Sequence, residues 1–105
     1  MDDIDKKIYK WVGFRLVPKY SGTDMTKTLW LYPEGVHNED TPPIDANFIE
    51  KYIFPNLDYI EIKASIKVPW LSVMIRHEYK EYFGKGKTLA EAVKAALGEY
   101  FEAKR

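Results

Sequence analysis

The stretch that best indicates the fold is Tyr59-Ile60-Glu61-Ile62-Lys63-Ala64-Ser65-Ile66. The even-numbered positions are apolar, with isoleucine or alanine at each. The odd-numbered positions hold Tyr59, Glu61, Lys63 and Ser65. Because side chains alternate between the two faces of a strand, this period of two residues predicts a half-buried strand. A second strand is predicted from Trp70 to about Tyr79, so the two would form a hairpin.

The two faces of the second predicted strand differ in character. One carries Leu71, Val73 and Ile75, whereas the other carries Trp70, Ser72, Met74 and Arg76. If Tyr59 lies opposite the isoleucine face of its own strand, it joins this second, partly apolar face. That pattern predicts either helices on both sides of the sheet or a binding partner.

The segments before this hairpin predict two helices and a further hairpin. Helix 1 is predicted over residues 3–12, with Asp2 or Asp3 at its start and Gly13 at its end. Short strands are predicted near 14–18 and 29–32, separated by a stretch of turn composition over 19–28. After a polar loop over 36–43, helix 2 begins near Ile44 or Asp45 and stops at Pro55.

The C-terminal part is predicted to be a loop followed by a helix. Gly84-Lys85-Gly86-Lys87 has loop composition, and Thr88-Leu89-Ala90-Glu91 has the pattern of a capping box, which begins helix 3. The apolar stripe of this helix is expected to cover the Ile60, Ile62 and Ile66 face. The order α-β-β-α-β-β-α predicts an α+β fold in one domain spanning 1–105, an antiparallel sheet of two hairpins covered by three helices.

Composition narrows the classes of function. The chain has no cysteine, which excludes disulfides and thiolate chemistry, and it has no apolar run long enough to span a membrane. Its acidic N-terminus is unlike a secretion signal, so a cytoplasmic protein is expected. Sixteen basic residues balance sixteen acidic ones, so nucleic acid is not the expected partner. No cofactor and no metal are predicted.

Several features together resemble a family of small phage proteins, the phage ABA sandwich domain. They are an N-terminal amphipathic helix ending near Trp11, a W-x-x-P-E-G turn from Trp30 to Gly35, a helix over 44–54, and a Trp opening the second strand of a hairpin, Trp70. The last of these features is the segment Lys87-Thr88-Leu89-Ala90-Glu91-Ala92, which begins an alanine-rich helix. The second helix departs from the family pattern at Phe48-Ile49-Glu50-Lys51-Tyr52. The resemblance implies a phage or prophage origin and a helix-covered sheet, and it carries over no catalytic residue.

The two histidines are the first candidates for chemistry. His37 lies in a polar loop with Glu39 and Asp40, which could hold a metal ion, although a solvated turn explains the same residues. His77 is in register with Leu71, Val73 and Ile75, which favours a hydrogen-bonded residue at the end of the core face over a general base.

A stronger candidate is an anion site at the start of helix 3. Glycine amides, Lys85, Lys87 and the positive end of a helix dipole coincide from Gly84 to Lys87, although the spacing of a P-loop is absent. Lys85, Gly86, Lys87 and Arg76 are therefore the predicted ligand-binding residues. A plain strand-to-helix connection is the competing interpretation.

Tyr59, Trp70 and Met74 are the predicted interface residues. They are expected to pack beneath helix 1 or helix 2, and the alternative is a surface for binding or self-association, because Trp, Tyr, Met and Arg are enriched in interface cores.

Two functional hypotheses follow from the sequence. The first is a non-catalytic accessory protein that binds a host protein of an infected bacterium, as an inhibitor of a defence or housekeeping system. The second is an oligomeric sponge that sequesters a small anionic signal such as a nucleotide. An enzyme is not expected, because no catalytic constellation is assembled in the sequence.

Overall fold

The computed structural model describes residues 3–21 and 24–104, without the side chains of 19–21 and 24–27. It shows an α+β chain of three helical segments and two separate three-stranded antiparallel sheets, in the order α-βββ-α-βββ-α. The predicted α+β class is therefore confirmed, but the expectation of one sheet built from two hairpins was wrong. The chain divides into two compact units, Met1–Pro43 and Ile44–Arg105, and each is described by itself.

The first unit contains one helix and one sheet. Helix α1 spans Asp3–Val12 as predicted, and Gly13 ends it with a φ of +108°, a left-handed conformation that favours glycine. Asp2, the other proposed cap, lies outside the described residues. The sheet has the order β1-β2-β3, with the bounds Arg15–Ser21, Asp24–Leu31 and His37–Asn38.

The predicted turn over 19–28 was wrong for most of its length. Strand β1 continues to Ser21 and β2 starts at Asp24, and their backbones pair from Arg15 opposite Leu31 to Ser21 opposite Asp24. Positions 22 and 23 lie outside the described residues. The many polar side chains of this hairpin hid its extended backbone, because composition was the only signal available there.

Aromatic contacts hold the first unit together. The buried Phe14 ring packs edge-on against Tyr9 of α1 at 5.4 Å and against Tyr32 at 4.8 Å between ring centroids. The hydroxyls of both tyrosines donate hydrogen bonds to carbonyl oxygens in the loop after β3, that of Tyr9 to Pro42 and that of Tyr32 to Asp40, each at 2.6 Å. The helix, sheet and loop of this unit are thereby tied to one another.

The second unit begins with a helical segment that changes its winding. Asp45 caps it by accepting the Phe48 amide at 3.0 Å, as the predicted start near Asp45 requires. The segment then runs as α2 over Ala46–Phe48, a π-helical turn over Ile49–Ile53 and a 3₁₀ turn over Phe54–Asn56. Pro55 lies inside the last turn and the helix ends one residue later, close to the predicted stop.

The second sheet has the order β4-β5-β6. Its strands span Tyr59–Ala64, Leu71–His77 and Lys80–Gly86. The predicted long second strand is thus shorter, because Glu78 and Tyr79 form a two-residue turn that leads directly into β6. The predicted loop from Gly84 to Lys87 was wrong, since Gly84 and Gly86 pair with Val73 and Leu71 of β5.

Helix α3, Leu89–Ala103, packs on β6 and β5. Its fully buried Val93 and Leu97 belong to the predicted apolar stripe, and the ring of Tyr100 meets His77 at 5.0 Å and Tyr82 at 5.2 Å. The stripe was expected to cover the isoleucine face of β4. Instead Ile62 is 44% exposed, and Ile66 follows the end of β4 and is fully exposed.

The two buried glycines of β6 explain where the helix lies. A Cβ atom on Gly84 would stand 2.3 Å from the backbone of Ala92 and of Ala96, and one on Gly86 would stand 2.6 Å from the amide nitrogen of Ala92. No side chain fits between these backbones. The glycines therefore allow α3 to lie directly on β6.

Among the helices that the structure describes, none is both long and apolar enough to cross a membrane.

Candidate binding face of the second sheet

One face of the β4-β5-β6 sheet is the candidate site. Helix α3 packs against the side that carries Val73, Ile75 and Tyr82, all of which are buried. The residues between them point the other way, and the strand register arranges them in three rows. This surface, called the open face below, consists of Tyr59, Glu61, Lys63, Ser72, Met74, Arg76, Glu81, Phe83 and Lys85.

The first row holds a fixed guanidinium group. Arg76 lies between Tyr59 and Glu81, and its Nη2 donates to the Glu81 carboxylate at 2.8 Å. Its Cζ lies 5.3 Å from the centroid of the Tyr59 ring, within cation–π range. The hydrogen bond to Glu81 raises the pKa of Arg76 further. Arg76 is therefore held as a cation in a defined orientation.

The middle row is apolar at its centre. Met74 lies opposite both Glu61 of β4 and Phe83 of β6. Met74 is half-buried, while Phe83 is 59% exposed, an unusual amount for so large an apolar ring. Together with Tyr59, these side chains form an apolar strip across the three strands.

The third row is basic. Ser72 lies between Lys63 of β4 and Lys85 of β6. The Lys63 ammonium is 3.4 Å from Glu61, and both side chains are exposed. Across the part of the chain that the structure describes, Lys85 makes no ion pair. This end of the face can therefore receive an anionic group.

The open face is slightly concave and continues beyond the sheet. Its three rows line a depression of about 800 Å³. A neighbouring depression of about 520 Å³ shares Lys63, Ser72 and Lys85 with it and adds Val68 and Trp70 from the β4–β5 connection. The two depressions form a contiguous surface with exposed rings at both ends.

The structure brings together several of the residues predicted from sequence. Tyr59, Met74, Arg76 and Lys85 all lie on the open face, and Trp70 lies beside it rather than within a strand. Packing beneath a helix was the expected environment of the interface residues. That expectation was wrong for Tyr59 and Trp70, each of which is 46% exposed.

The predicted phosphate cradle has a different structure. The Lys87 amide donates to the Glu91 carboxylate at 2.9 Å, and the Glu91 amide donates to the Thr88 hydroxyl at 3.2 Å, so the capping box is confirmed. A carboxylate thus occupies the position proposed for an anion. Gly86 is buried beneath α3, and Lys85 and Arg76 lie four strand positions apart along the sheet, about 13 Å at the usual rise per residue.

Sequence reasoning missed the β6 half of the face. Glu81 and Phe83 were not recognised because β6 was not predicted, and Glu61 and Lys63 were treated only as the polar side of a strand. The buried inner positions of β6 are Tyr82, Gly84 and Gly86. Glycine on the inner side of a strand has no apolar side chain, so a search for hydrophobic periodicity passes over it.

The histidines lie apart from this face. His37 is exposed in β3 opposite Leu31, and His77 ends β5 on the inner side, where its ring meets Tyr100 as the predicted register requires. Within residues 3–21 and 24–104, no three His, Asp or Glu side chains converge in a way that could hold a metal ion.

Comparisons with family models, with curated proteins and with solved structures give no match for this chain. The resemblance to the phage ABA sandwich domain stays a prediction from the residues quoted for it.

Proposed function

We propose that the protein acts by binding a partner protein through the open face, without catalysing a reaction. The observation that supports this proposal is the apolar strip of Tyr59, Met74 and Phe83, left uncovered and bordered by charged residues. An apolar centre within a polar rim is the usual anatomy of a protein interface, and Tyr, Phe, Met and Arg are enriched there. Single exposed apolar residues need no explanation, but a contiguous strip does.

Contacts that already orient side chains of the open face favour binding. Arg76 already donates a hydrogen bond to Glu81 and lies over the Tyr59 ring in the unbound protein. Immobilising a flexible side chain on binding costs roughly 0.5–1.5 kcal/mol, and a side chain that is already fixed avoids much of that cost. The backbone of the three-stranded sheet is likewise already paired.

The charges of the face define the chemistry of the partner. The Arg76–Glu81 end is internally neutralised, whereas Lys85 at the other end has no ion pair within the described residues. A complementary partner would place an apolar anchor over Met74 and Phe83 and a carboxylate near Lys85. The resemblance to a phage family suggests a bacterial host protein in the cytoplasm as the partner, with inhibition of a defence or housekeeping system as the result.

Affinity capture from bacterial lysate with matched variants tests this proposal. Met74→Glu and Phe83→Glu each place a carboxylate in the apolar strip, so we expect both to lose the proteins that the wild type retains. Tyr79→Glu is the control, since Tyr79 is 98% exposed in the turn outside the face. If the folded face variants retain the same proteins as the control, the open face is not the contact surface.

The basic row supports a second candidate function, the sequestration of a small anionic molecule such as a nucleotide. Lys63 and Lys85 flank the Ser72 hydroxyl, and the exposed Phe83 ring adjoins Lys85 on the same face of β6. Phosphate oxygens would lie between the lysines while a base stacks on the ring.

Thermal shift assays with cyclic nucleotides and ADP-ribose derivatives separate the two candidates. If sequestration is correct, one of these compounds raises the melting temperature, and Lys85→Glu abolishes the rise. Lys87→Glu is the matched control because Lys87 follows β6 and lies outside the lining of the depression. An unchanged melting temperature with every compound, or equal effects of the two variants, argues against the sponge.

A further inference from the structure

The outer edge of β4 has the properties of a pairing edge. Among the described residues β4 pairs with β5 alone, over six consecutive residues and without a bulge. Natural sheets usually protect such an edge with proline, a bulge or charges that repel a second strand, since its unpaired amides and carbonyls invite pairing. Residues 59–64 contain no proline, and their two charges, on Glu61 and Lys63, are opposite in sign.

The sequence of β4 is complementary to itself in one register. In an antiparallel pair, directly opposite residues share a face of the sheet. With Ile62 opposite Ile62 of a second copy, Glu61 lies opposite the second copy's Lys63, and Lys63 lies opposite its Glu61. A shift of two residues in either direction instead places Glu61 opposite Glu61 or Lys63 opposite Lys63. Opposite charges in such pairs are favourable and like charges are unfavourable.

Burial points to the same register. Ile62 faces the inner side of the sheet yet is 44% exposed, so its apolar surface is only partly covered in the single chain. Pairing would bring two such side chains together across the symmetry axis. The contact between Lys63 and Glu61 within one chain joins exposed groups and contributes little, so both remain available to a second copy.

The other edge of the sheet is sterically closed. Strand β6 has a similar pattern, with Glu81, Phe83 and Lys85, but α3 lies directly on it. Two-fold antiparallel pairing puts both helices on the same side of the joined sheet. Paired strands are about 4.8 Å apart, whereas packed helices need 8–10 Å between axes, so two copies of α3 would collide. At the β4 edge five strand spacings, about 24 Å, separate the two copies of α3.

From these observations we infer that two copies of this chain pair through β4, antiparallel and with Ile62 opposite Ile62, into a six-stranded sheet. The interface is isologous, as in most two-fold dimers. This inference rests on strand β4, whose Glu61 and Lys63 also belong to the open face, and it does not require that face to bind any particular ligand.

Sedimentation equilibrium with charge-reversed variants tests the pairing and its register. The wild type should show twice the chain mass of 12.3 kDa. Glu61→Lys creates two like-charge pairs and should raise the dimer dissociation constant on the order of tenfold or more. Adding Lys63→Glu to the same chain restores both pairs and should restore the dimer. Glu81→Lys, on the closed edge, should leave the mass unchanged.

A wild type that stays monomeric up to millimolar concentration overturns the inference. So does a Glu61→Lys variant that dimerises as well as the wild type, or a double variant that fails to recover. Circular dichroism verifies that each variant is folded.

Cross-linking provides a second measurement that leaves the charges intact. The chain contains no cysteine, so Ile62→Cys introduces a single thiol at the symmetry axis. Mild oxidation should convert it largely to a covalent dimer, while Tyr79→Cys, in the exposed turn, should stay monomeric. Equal cross-linking of the two variants contradicts the proposed register.

Discussion

At the scale of single residues, Gly84 has the most specific structural role. It is in contact with the backbone of α3, and a Cβ atom there would approach the Ala92 carbonyl oxygen and the Ala96 amide nitrogen to 2.3 Å. Because these are backbone atoms, the whole helix would have to move to relieve the overlap. The residue determines how closely sheet and helix approach.

We therefore expect Gly84→Ala to lower the free energy of unfolding by about 1–3 kcal/mol, the usual cost of overpacking a core. Urea unfolding of the variant measures this change. Lys85→Ala is the control, because Lys85 is the next residue in the strand and its exposed side chain points to the open face; its effect should stay within about 0.5 kcal/mol. Equal stabilities of the two variants would show that α3 does not lie against β6 as described.

A second residue-scale prediction concerns pH. The Lys104 ammonium donates to the Glu78 carboxylate, and this hydrogen bond lowers the pKa of Glu78 below the ordinary 4.5. A depressed carboxyl pKa contributes stability that is present above the unfolded pKa and is lost as pH falls through the folded pKa. Glu78→Gln should be less stable than the wild type at neutral pH. The difference should shrink as the pH falls below 4.5 and vanish below the depressed pKa of Glu78 in the folded protein.

Urea unfolding over a pH series measures that difference. Glu99→Gln, which removes an exposed carboxylate from α3, serves as the control for the loss of a surface charge. A deficit in Glu78→Gln that is the same at every pH would mean that the ion pair is not its cause.

At the scale of elements, the capping box of α3 makes a testable contribution. The Thr88 hydroxyl accepts the Glu91 amide, and the Glu91 carboxylate accepts the Lys87 amide. Thr88→Ala should reduce stability by about 1 kcal/mol, since one amide in the first turn loses its acceptor. Thr88→Ser retains a hydroxyl and should remain close to wild type in thermal unfolding. A Thr88→Ala melting temperature equal to that of the wild type contradicts the cap.

Elements with a strong periodic or capping signal could be predicted from the sequence. Strand β4 has alternating isoleucines, and α1 and α3 have apolar stripes with recognisable ends, so all three were found at or near their true bounds. Strand β6 could not be found in the same way. Its inner positions are glycines, whose function depends on a helix that approaches from elsewhere in the chain, so no local pattern reveals it.

The residues of the candidate site could be predicted where their strands could be predicted. The strand alternation placed Tyr59, Trp70, Met74 and Arg76 on one face. The structure confirms that placement except for Trp70, which precedes the strand and lies beside the face. Lys85 was assigned to a helix-end cradle because its strand was unknown, and Phe83 was overlooked for the same reason. Which rows form across three strands depends on pairing between distant segments, which sequence spacing does not specify.

At the scale of the whole molecule, the prediction of a single domain requires both units to unfold together. Trp11 and Trp30 belong to the first unit and Trp70 to the second. In a Trp70→Phe variant, fluorescence reports the first unit while far-ultraviolet circular dichroism reports both. We expect coincident urea transitions, the mark of two-state unfolding. A Trp11→Phe, Trp30→Phe variant supplies the reciprocal measurement, and transitions that separate in either variant would indicate two domains.

The proposed dimer bears on the proposed function at this scale. A two-fold axis normal to the joined sheet places both open faces on the same side. A partner with two copies of the complementary surface would then be bound bivalently, and avidity would exceed the affinity of either face alone. Glu61→Lys should therefore weaken capture of an oligomeric partner more than capture of a monomeric one.

The turn between β5 and β6 has a consequence for the order of events in folding. Glu78 and Tyr79 have φ values of 54° and 67°, a left-handed conformation for which neither residue is well suited. The supports of the turn are distant: the Glu78 amide donates to Asp58, 20 positions earlier, and the Glu78 carboxylate accepts from Lys104, 26 positions later. A hairpin with such a turn is not expected to form in isolation. It should form only after Asp58 and Lys104 have come into contact with Glu78. An isolated peptide of residues 71–86 would therefore remain unstructured. The contact at the end of α3 would be among the last to form as the sheet is completed.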